Sequence, residues 1–274
     1  LHQMTDEIFG LYSELYEIAC KEDDTRLKTF ADNQFYGRFL ELPADVVGYN
    51  RYFGWYKDAG SAENFGEWLD LYHNEKEKRP VCLSEYGGGG AISQHKDNVN
   101  WESNIDPVGV RHYENYQSQL HEILWKQFSV RKYLWAEFIW CMFDFASYGR
   151  VEGDTKSQND KGLCTRERIP KDVYFFYKSV WSGEKTVYIT ERRHEFRACD
   201  VPFVKVYSNA DAVELCINDV SHGRISRCEL PDDESTVFVW ENIKIKPGTK
   251  NKICAKAYFS DGTSRTDYAF WTGK

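Results

Sequence analysis

Long apolar segments and an excess of positive charge are both missing from this sequence. The longest strongly apolar run, Phe138 to Phe143, is far shorter than the roughly 20 residues that a membrane-spanning helix needs. The 43 acidic side chains outnumber the 35 basic ones, which gives a formal net charge of −8. Nucleic acids and anionic membrane surfaces both attract basic protein surfaces. The sequence therefore argues against either kind of partner.

A signal peptide is not visible either. The chain begins Leu-His-Gln-Met, without a basic segment followed by an apolar stretch. We therefore expect this sequence to be a piece of a longer protein. Its cellular address, the bacterial periplasm or the cytoplasm, would then be specified outside this piece.

The eight cysteines contain no C-x-x-C pair, and several stand inside apolar runs such as Val81-Cys82-Leu83. A buried free cysteine behaves as a small apolar side chain, and a chain of this size does not depend on disulfides for its core. We expect reduced thiols.

Signature motifs of several enzyme classes are also missing. The run Gly87–Gly90 lacks the Lys-Ser/Thr of a phosphate-binding loop, and His121-Glu122 is followed by Trp125 where a zinc protease has its second histidine. A G-x-S-x-G nucleophile motif does not occur, and the seven histidines lack metal-ligand spacing. The sequence suggests no cofactor and no metal.

What the first 185 residues do contain is an alternation of helical and strand patterns. Apolar residues recur at helical spacing in some segments, and short apolar runs lie between them. Strands that alternate with helices form parallel sheets. The predicted helices cover residues 5–22, 61–77, 110–129 and a segment that has Pro170 in its first turn, and the four predicted strands cover residues 27–31, 46–49, 80–84 and 133–141.

The pattern changes after residue 185. About seven short β-rich runs follow in fewer than a hundred residues, separated by turn signals such as Pro247-Gly248 and Asp261-Gly262. That number of strands is typical of an immunoglobulin-like β-sandwich. We therefore predict an α/β domain over residues 1–185 and an all-β sandwich over residues 186–274.

Aromatic side chains are abundant, at 16% of the chain, and three clusters of candidate functional residues lie at predicted strand ends. Glu85 ends an apolar strand, where catalytic groups stand in parallel α/β barrels, although its five-residue context alone favours an ordinary solvated glutamate. The segment Tyr49–Tyr56 combines aromatic rings with Asn50 and Arg51, which suits a sugar better than a purely apolar plug. In the third cluster, Trp140 fits a pocket floor and a core position equally well.

In sequence order, these clusters resemble glycoside hydrolase family 2. The resemblance covers residues 1–183 and rests on four motifs that follow one another along the chain. It is strongest toward the bacterial β-galactosidase branch, and the region from residue 187 resembles the sandwich that follows the barrel there. It implies the C-terminal half of a TIM (β/α)8 barrel followed by an immunoglobulin-like β-sandwich. The four motifs are Asn50-Arg51-Tyr52-Phe53-Gly54-Trp55-Tyr56, Ser84-Glu85-Tyr86-Gly87, Trp140-Cys141-Met142-Phe143-Asp144-Phe145 and Gln158-Asn159-Asp160-Lys161-Gly162.

The resemblance also implies a retaining exo-glycosidase, in which one carboxyl attacks the anomeric carbon and a second, about 5–5.5 Å away, protonates the leaving oxygen. Glu85 matches the nucleophile and Tyr52 its hydrogen-bond donor. The sugar would contact Asn50, Tyr56, Trp140 and His95.

The family's acid/base, a glutamate in an Asn-Glu pair, would precede the helix at residues 5–22 and is therefore expected outside this chain. Asn74-Glu75 has the right letters but lies in a charged helix end, so we reject it. Any divalent-metal site of the family would also fall in the missing half. We expect the half-barrel to be completed by the missing N-terminal half of the enzyme or by another copy, because an open half leaves its edges and inner face uncovered.

The resemblance leaves three alternatives open for the function, two of which differ in the substrate. The favoured one is terminal β-linked galactose in oligo- or polysaccharides. However, Asn159 and Lys161 resemble the Asn-x-Lys pair with which β-glucuronidases hold the sugar carboxylate. The third alternative is a non-catalytic carbohydrate-binding protein. Cys141 departs from the polar residue that usually follows this tryptophan in the family.

Overall fold

The computed structural model describes residues 4–33, 37–100, 105–230 and 236–274. The chain forms two compact units. The first comprises residues 1–87 and 127–141, and the second comprises residues 88–126 and 142–274. Within the described residues, no helix is both long and apolar enough to cross a membrane.

The first unit begins with helix α1 (Asp6–Glu22). Thr5 caps it, because the Oγ1 atom accepts a hydrogen bond from the backbone N–H of Ile8 at 3.3 Å. Acidic residues in the first turn interact favourably with the helix dipole. No residue of this fully described helix is buried, and its apolar stripe is 38–54% exposed. The stripe consists of Ile8, Leu11, Leu15 and Ile18.

A four-stranded parallel sheet forms the centre of the first unit, with strand order β1-β2-β3-β4. Its inner strands are rich in β-branched and apolar residues, and Val47, Val81 and Leu83 are at most 1% exposed. Helix α2 (Phe65–Leu71) is flanked by a 3-10 turn and a π-helical turn, and Phe65 stacks on Phe53 with ring centroids 4.4 Å apart. The strands are β1 (Ala31–Asp32), β2 (Val47–Asn50), β3 (Val81–Tyr86) and β4 (Glu137–Ile139).

The second unit contains helix α4 (Asp172–Trp181) and a short antiparallel pair, β5 (Phe145–Ala146) and β6 (Gln158–Asn159). Helix α3 (Glu114–Ser129) contributes residues 114–126 to it. The ring of Phe175 on α4 stacks on Tyr188 with centroids 3.7 Å apart. Aromatic packing therefore ties α4 to the strands that follow.

Those strands form two sheets, with orders β11-β10-β13-β14-β8 and β12-β9-β7. Their inward-facing side chains share one apolar core, in which Val213, Phe238 and Ile253 are completely buried. Two sheets around one core constitute a β-sandwich. The strands are β7 (Val187–Ile189), β8 (Phe196–Arg197), β9 (Asp200–Ser208), β10 (Ala212–Ile217), β11 (Val220–Ser226), β12 (Val237–Lys244), β13 (Lys250–Tyr258) and β14 (Ser264–Gly273).

The structure confirms the predicted fold class, with four parallel strands followed by a sandwich. Several details differ. The strand predicted over 27–31 is only Ala31–Asp32, because the sheet pairs just these two residues with β2, and the helix predicted over 110–129 begins at Glu114. The strand predicted over 133–141 keeps only three residues, the helix predicted over 61–77 is split into three pieces, and Pro170 precedes the N-cap Lys171 rather than opening the helix. The proposed domain boundary near residue 185 stays a prediction. All eight cysteines lie among the described residues and are free thiols.

Candidate active site

Glu85 lies at the C-terminal end of strand β3, beside the end of strand β2. The two strands pair in parallel, with Tyr49 opposite Leu83 and Asn50 opposite Glu85, so β3 has one extra residue at this point. Such a bulge re-aims side chains at the end of a sheet. The irregular register therefore brings Glu85 and Asn50 to the same strand end.

The carboxylate of Glu85 accepts a hydrogen bond from the phenol of Tyr52, with 2.5 Å between the Tyr52 hydroxyl and Glu85 Oε2. Burial raises the pKa of Tyr52 well above its usual range, and the hydrogen bond to a carboxylate adds to this shift. Tyr52 is therefore a constant donor at physiological pH. The ring of Tyr56 meets it edge-on, with centroids 5.5 Å apart.

Asn50 is held by the residue that precedes Glu85. The hydroxyl of Ser84 donates a hydrogen bond to Asn50 Oδ1 at 2.7 Å. Gly48, two residues before Asn50, leaves room for this serine, because a Cβ at position 48 would lie 2.8 Å from Ser84 Oγ. The side-chain amide of Asn50 thus has a fixed neighbour on β3.

Arg51 directly follows the end of strand β2, yet it is only 4% exposed. Its guanidinium lies over the rings of Trp68 and Tyr49, at 4.9 and 5.1 Å from their centroids, and Nη1 donates to the carbonyl of Asn50 at 2.6 Å. Burial lowers the pKa of Arg51 to about 10, so the side chain remains a cation at neutral pH. This hydrogen bond satisfies the backbone carbonyl of Asn50.

These side chains open onto a cavity of about 530 Å³. That volume falls within the range of small-molecule sites, and the lining combines aromatic rings with a few convergent polar groups. Three of the predicted site residues, Asn50, Tyr52 and Tyr56, therefore share one cavity with Glu85. The lining residues are Asn33, Asn50, Arg51, Tyr52, Phe53, Tyr56, Asp58, Ala59, Trp68 and Glu85.

Trp140 follows strand β4, and its backbone N–H donates to the carbonyl of Tyr86 at 2.9 Å. The tryptophan is 37% exposed and is joined to Cys141 by a cis peptide bond. It is not among the described residues that line the cavity. Its role as a sugar platform stays a prediction.

Asn159 and Lys161 lie in the second unit and are 3% and 2% exposed. Asn159 Oδ1 accepts from the backbone N–H of Lys161 at 3.0 Å, which fixes a tight Asn-Asp-Lys turn. Asp160, between them, pairs with His112 at 2.8 Å, and its carbonyl accepts from Lys171 Nζ at 2.8 Å. Although burial opposes ionisation, the hydrogen bond from His112 holds the pKa of Asp160 below its usual range.

The carboxylate of Asp144 neutralises Lys171 at 2.8 Å and accepts from the N–H of Gly162 at 2.9 Å. Burial raises the pKa of Asp144 to about 6, although Lys171 opposes the shift. A Cβ on Gly162 would come within 2.2 Å of the backbone nitrogen of Asp144. Glycine is therefore needed for the last residue of the turn to approach this closely.

His95 is placed in a buried network of the second unit. Its Nε2 lies 2.9 Å from Glu114 Oε2, and its side chain is 5% exposed. In the structure His95 supports Glu114, so burial favours a structural role, and the proposed contact with a sugar hydroxyl stays a prediction.

One described group of side chains, Asp97, Glu191 and His194, is compact enough to hold a metal ion. However, Arg197 Nη2 lies 2.9 Å from Asp97 and 2.8 Å from Glu191. The guanidinium already neutralises both carboxylates. The group is therefore better described as an ion-pair network.

Comparisons with known proteins decide the family. Residues 10–186 match the family model described as "Glycosyl hydrolases family 2, TIM barrel domain". The chain belongs to glycosyl hydrolase family 2. This membership confirms the family predicted from the motif order. A second model, a domain of unknown function (DUF4982), matches residues 201–265 in the sandwich.

Several relatives of this chain have names that state an enzyme activity. A β-glucuronidase of Bacteroides fragilis is 34% identical over 250 residues, which is 90% of this chain and 34% of that protein. The crystal structure of an FMN-binding β-glucuronidase from Facaelibacterium prausnitzii superposes with a TM-score of 0.85 at 32% identity, covering 99% of this chain and 39% of that one. A structure from Bacteroides fragilis that is provisionally named a β-galactosidase superposes with a TM-score of 0.85 at 27% identity, and the match covers 97% of this chain and 38% of that one. The chain thus spans 34–39% of the length of these relatives.

The sequence predicted Glu85 and the Tyr49–Tyr56 segment at the cavity, but it did not predict the lining residues Asn33, Asp58, Ala59 and Trp68 or the contact of Ser84 with Asn50. Ser84 was visible as a member of the Ser-Glu-Tyr-Gly motif, and its pairing with Asn50 depends on the strand register. Trp68 falls within the helix predicted over residues 61–77, and no sequence signal distinguishes a core ring from a cavity wall.

Proposed function

We propose that this chain supplies the nucleophile-bearing half of a retaining exo-β-glycosidase, and that the complete enzyme acts on β-glucuronides. The observation that carries the proposal is the Glu85–Tyr52 hydrogen bond of 2.5 Å at a strand end that opens onto a cavity. In the chemistry of retaining enzymes, such a carboxylate attacks the anomeric carbon and forms a covalent glycosyl intermediate, which water then hydrolyses. Tyr52 would keep the nucleophile oriented for this attack.

Two lines of support favour glucuronides over the galactosides first expected from the sequence. The relatives are mostly named β-glucuronidases, including the B. fragilis protein at 34% identity. The turn that contains Asn159 and Lys161 is buried and held by hydrogen bonds, and an ammonium with an amide suits a sugar carboxylate. We propose these two residues as the carboxylate contacts.

The acid/base would come from outside this chain, as would the strands that complete the barrel. The exposed stripe of α1 supports this idea, because its apolar side chains lack a cover in the described structure. We propose that a preceding segment of the same enzyme covers the stripe, with a second copy as the alternative. Intact mass and light scattering of the purified protein should reveal a second polypeptide or an oligomer. A monodisperse 32.1 kDa monomer would contradict this expectation.

The catalytic assignment is tested by Glu85→Gln in the complete enzyme, with nitrophenyl β-glycosides as substrates. We expect turnover to fall by at least about a thousandfold, because the amide cannot form the covalent intermediate. Glu75→Gln is the matched control, since this exposed glutamate is the rejected acid/base candidate and should leave turnover unchanged. Normal turnover of Glu85→Gln would refute the assignment.

The substrate is tested separately by Lys161→Met. A lost charge-assisted hydrogen bond is worth about 1.5–3 kcal/mol, which corresponds to roughly 10- to 150-fold in kcat/KM. We expect that loss of kcat/KM on a β-glucuronide and a much smaller loss on the matching β-glucoside, which carries a hydroxymethyl group in place of the carboxylate. Because Lys161 is buried, a general structural effect would lower both rates equally and would count against the assignment.

A further inference from the structure

The oxygen and the nitrogen of the Asn50 side-chain amide have different hydrogen-bonding roles. Its carbonyl oxygen Oδ1 accepts a hydrogen bond from the hydroxyl of Ser84, with 2.7 Å between the two oxygens. Within the described part of the chain, its Nδ2 atom donates to no protein group, while Asn50 itself lines the cavity beside Glu85. An amide held by its oxygen therefore has its two N–H donors left for a ligand.

The serine that holds this amide is itself fixed by the sheet. Ser84 stands in β3 between Leu83, which is 0% exposed, and Glu85. Gly48, on the neighbouring strand, has no side chain to displace it, and a methyl group there would lie 2.8 Å from both Ser84 Cβ and Oγ. A hydroxyl confined in this way can hold its acceptor in one orientation.

We propose that Ser84 is a positioning residue for substrate recognition, acting through Asn50. It fixes the amide with its nitrogen toward the cavity, so that the site offers a donor to an oxygen of the bound sugar. An unrestrained amide would present its oxygen part of the time and repel the same sugar atom. This inference rests on the proposed glycosidase function and adds a specificity-determining pair, Ser84 and Asn50, to it.

A hydrogen bond that only stabilises the pairing of the two strands would also explain the contact. The two explanations differ in whether the effect of removing Ser84 depends on the presence of Asn50. If Ser84 only stabilises the sheet, its removal should act independently of Asn50. If Ser84 acts through the amide, its removal should have no effect once the amide is gone. A double-mutant cycle measures this difference.

The experiment uses the complete enzyme with Ser84→Ala, Asn50→Ala and the double variant, assayed on matched β-glucuronide and β-glucoside substrates. A neutral hydrogen bond contributes about 0.5–1.5 kcal/mol, so we expect Ser84→Ala to lower kcat/KM about 2- to 12-fold, chiefly through KM. In the Asn50→Ala background, Ser84→Ala should lower kcat/KM by less than a factor of 1.5. Ser84→Thr keeps the hydroxyl and should restore most of the loss.

The two substrates distinguish the sugar atom involved. A larger loss on the glucuronide indicates its carboxylate, and equal losses indicate a ring hydroxyl. Equal costs of Ser84→Ala in both backgrounds, or wild-type kinetics for Ser84→Ala alone, would overturn the inference. Thermal unfolding of each variant checks that the fold is intact. Failure of the proposed function is distinguishable, because it would appear as normal turnover in Glu85→Gln.

Discussion

Replacing Arg193 by methionine should destabilise the second unit strongly, because this arginine lies between two buried carboxylates. Its Nη1 atom lies 2.7 Å from Glu114 Oε1 and 3.6 Å from Asp172 Oδ1, and both carboxylates are at most 1% exposed. Asp172 also accepts from the hydroxyl of Tyr188 at 2.6 Å. Without the guanidinium, two like charges would remain buried together.

Breaking a buried ion pair by removing one partner typically costs about 3–5 kcal/mol, and we expect a loss of that size at pH 8. The loss should depend on pH. Burial, and then the nearby charge of Glu114, raise the pKa of Asp172 from 3.8 to about 7. A group whose pKa is raised by folding favours the folded state fully below pH 3.8, and that contribution disappears as the pH rises through about 7. Protonation of Asp172 should therefore relieve part of the defect in acid.

The assay is urea unfolding followed by circular dichroism at pH 8 and pH 5.5. The loss caused by Arg193→Met should be smaller at pH 5.5 by at least about 1 kcal/mol. Arg192→Met is the matched control, since this neighbouring arginine pairs with the partly exposed Asp267 and should cost about 1 kcal/mol at either pH. A loss no larger than that of the control, or one that is identical at both pH values, would refute the reasoning.

Two further predictions concern single side chains. Tyr52→Phe removes the 2.5 Å hydrogen bond to Glu85 and should lower kcat of the complete enzyme about tenfold or more, with an unchanged circular dichroism spectrum; an unaltered kcat would contradict a role for the phenol. Lys171→Met leaves the Asp144 carboxylate buried without its cation and should cost about 3–5 kcal/mol in urea unfolding. Lys178→Met, which removes a lysine paired with the exposed Glu184, should cost under about 1 kcal/mol, so similar losses for the two lysines would contradict the argument.

Local signals account for the parts of the fold that could be predicted from the sequence. The cap at Thr5, the helical spacing of Ile8 to Ile18 and the apolar run at Val81–Leu83 are each encoded within a few residues. The position of Glu85 at a strand end followed from the same kind of signal. The order of the motifs, rather than any single one, identified the family.

Long-range pairing accounts for what could not be predicted. Strand β4 keeps only Glu137–Ile139 of the nine residues expected, because parallel pairing with β3 decides where a strand ends. The contact between Ser84 and Asn50 depends on a one-residue register shift between two strands. Arg193, one of the partners of Glu114, is 79 residues away along the chain, and no local pattern connects the two.

The contacts of Glu114 and Asp172 also affect how this protein could be recombined. A cut at residue 185 would separate Asp172 from Tyr188 and Glu114 from Arg193, although the sequence pattern changes at that point. A chimera that takes its sandwich from a relative would retain the acidic residues while losing their tyrosine and arginine, unless the donor supplies equivalents. Exchange between family members should therefore succeed when helices α3 and α4 and the residues through Arg193 all come from the same parent.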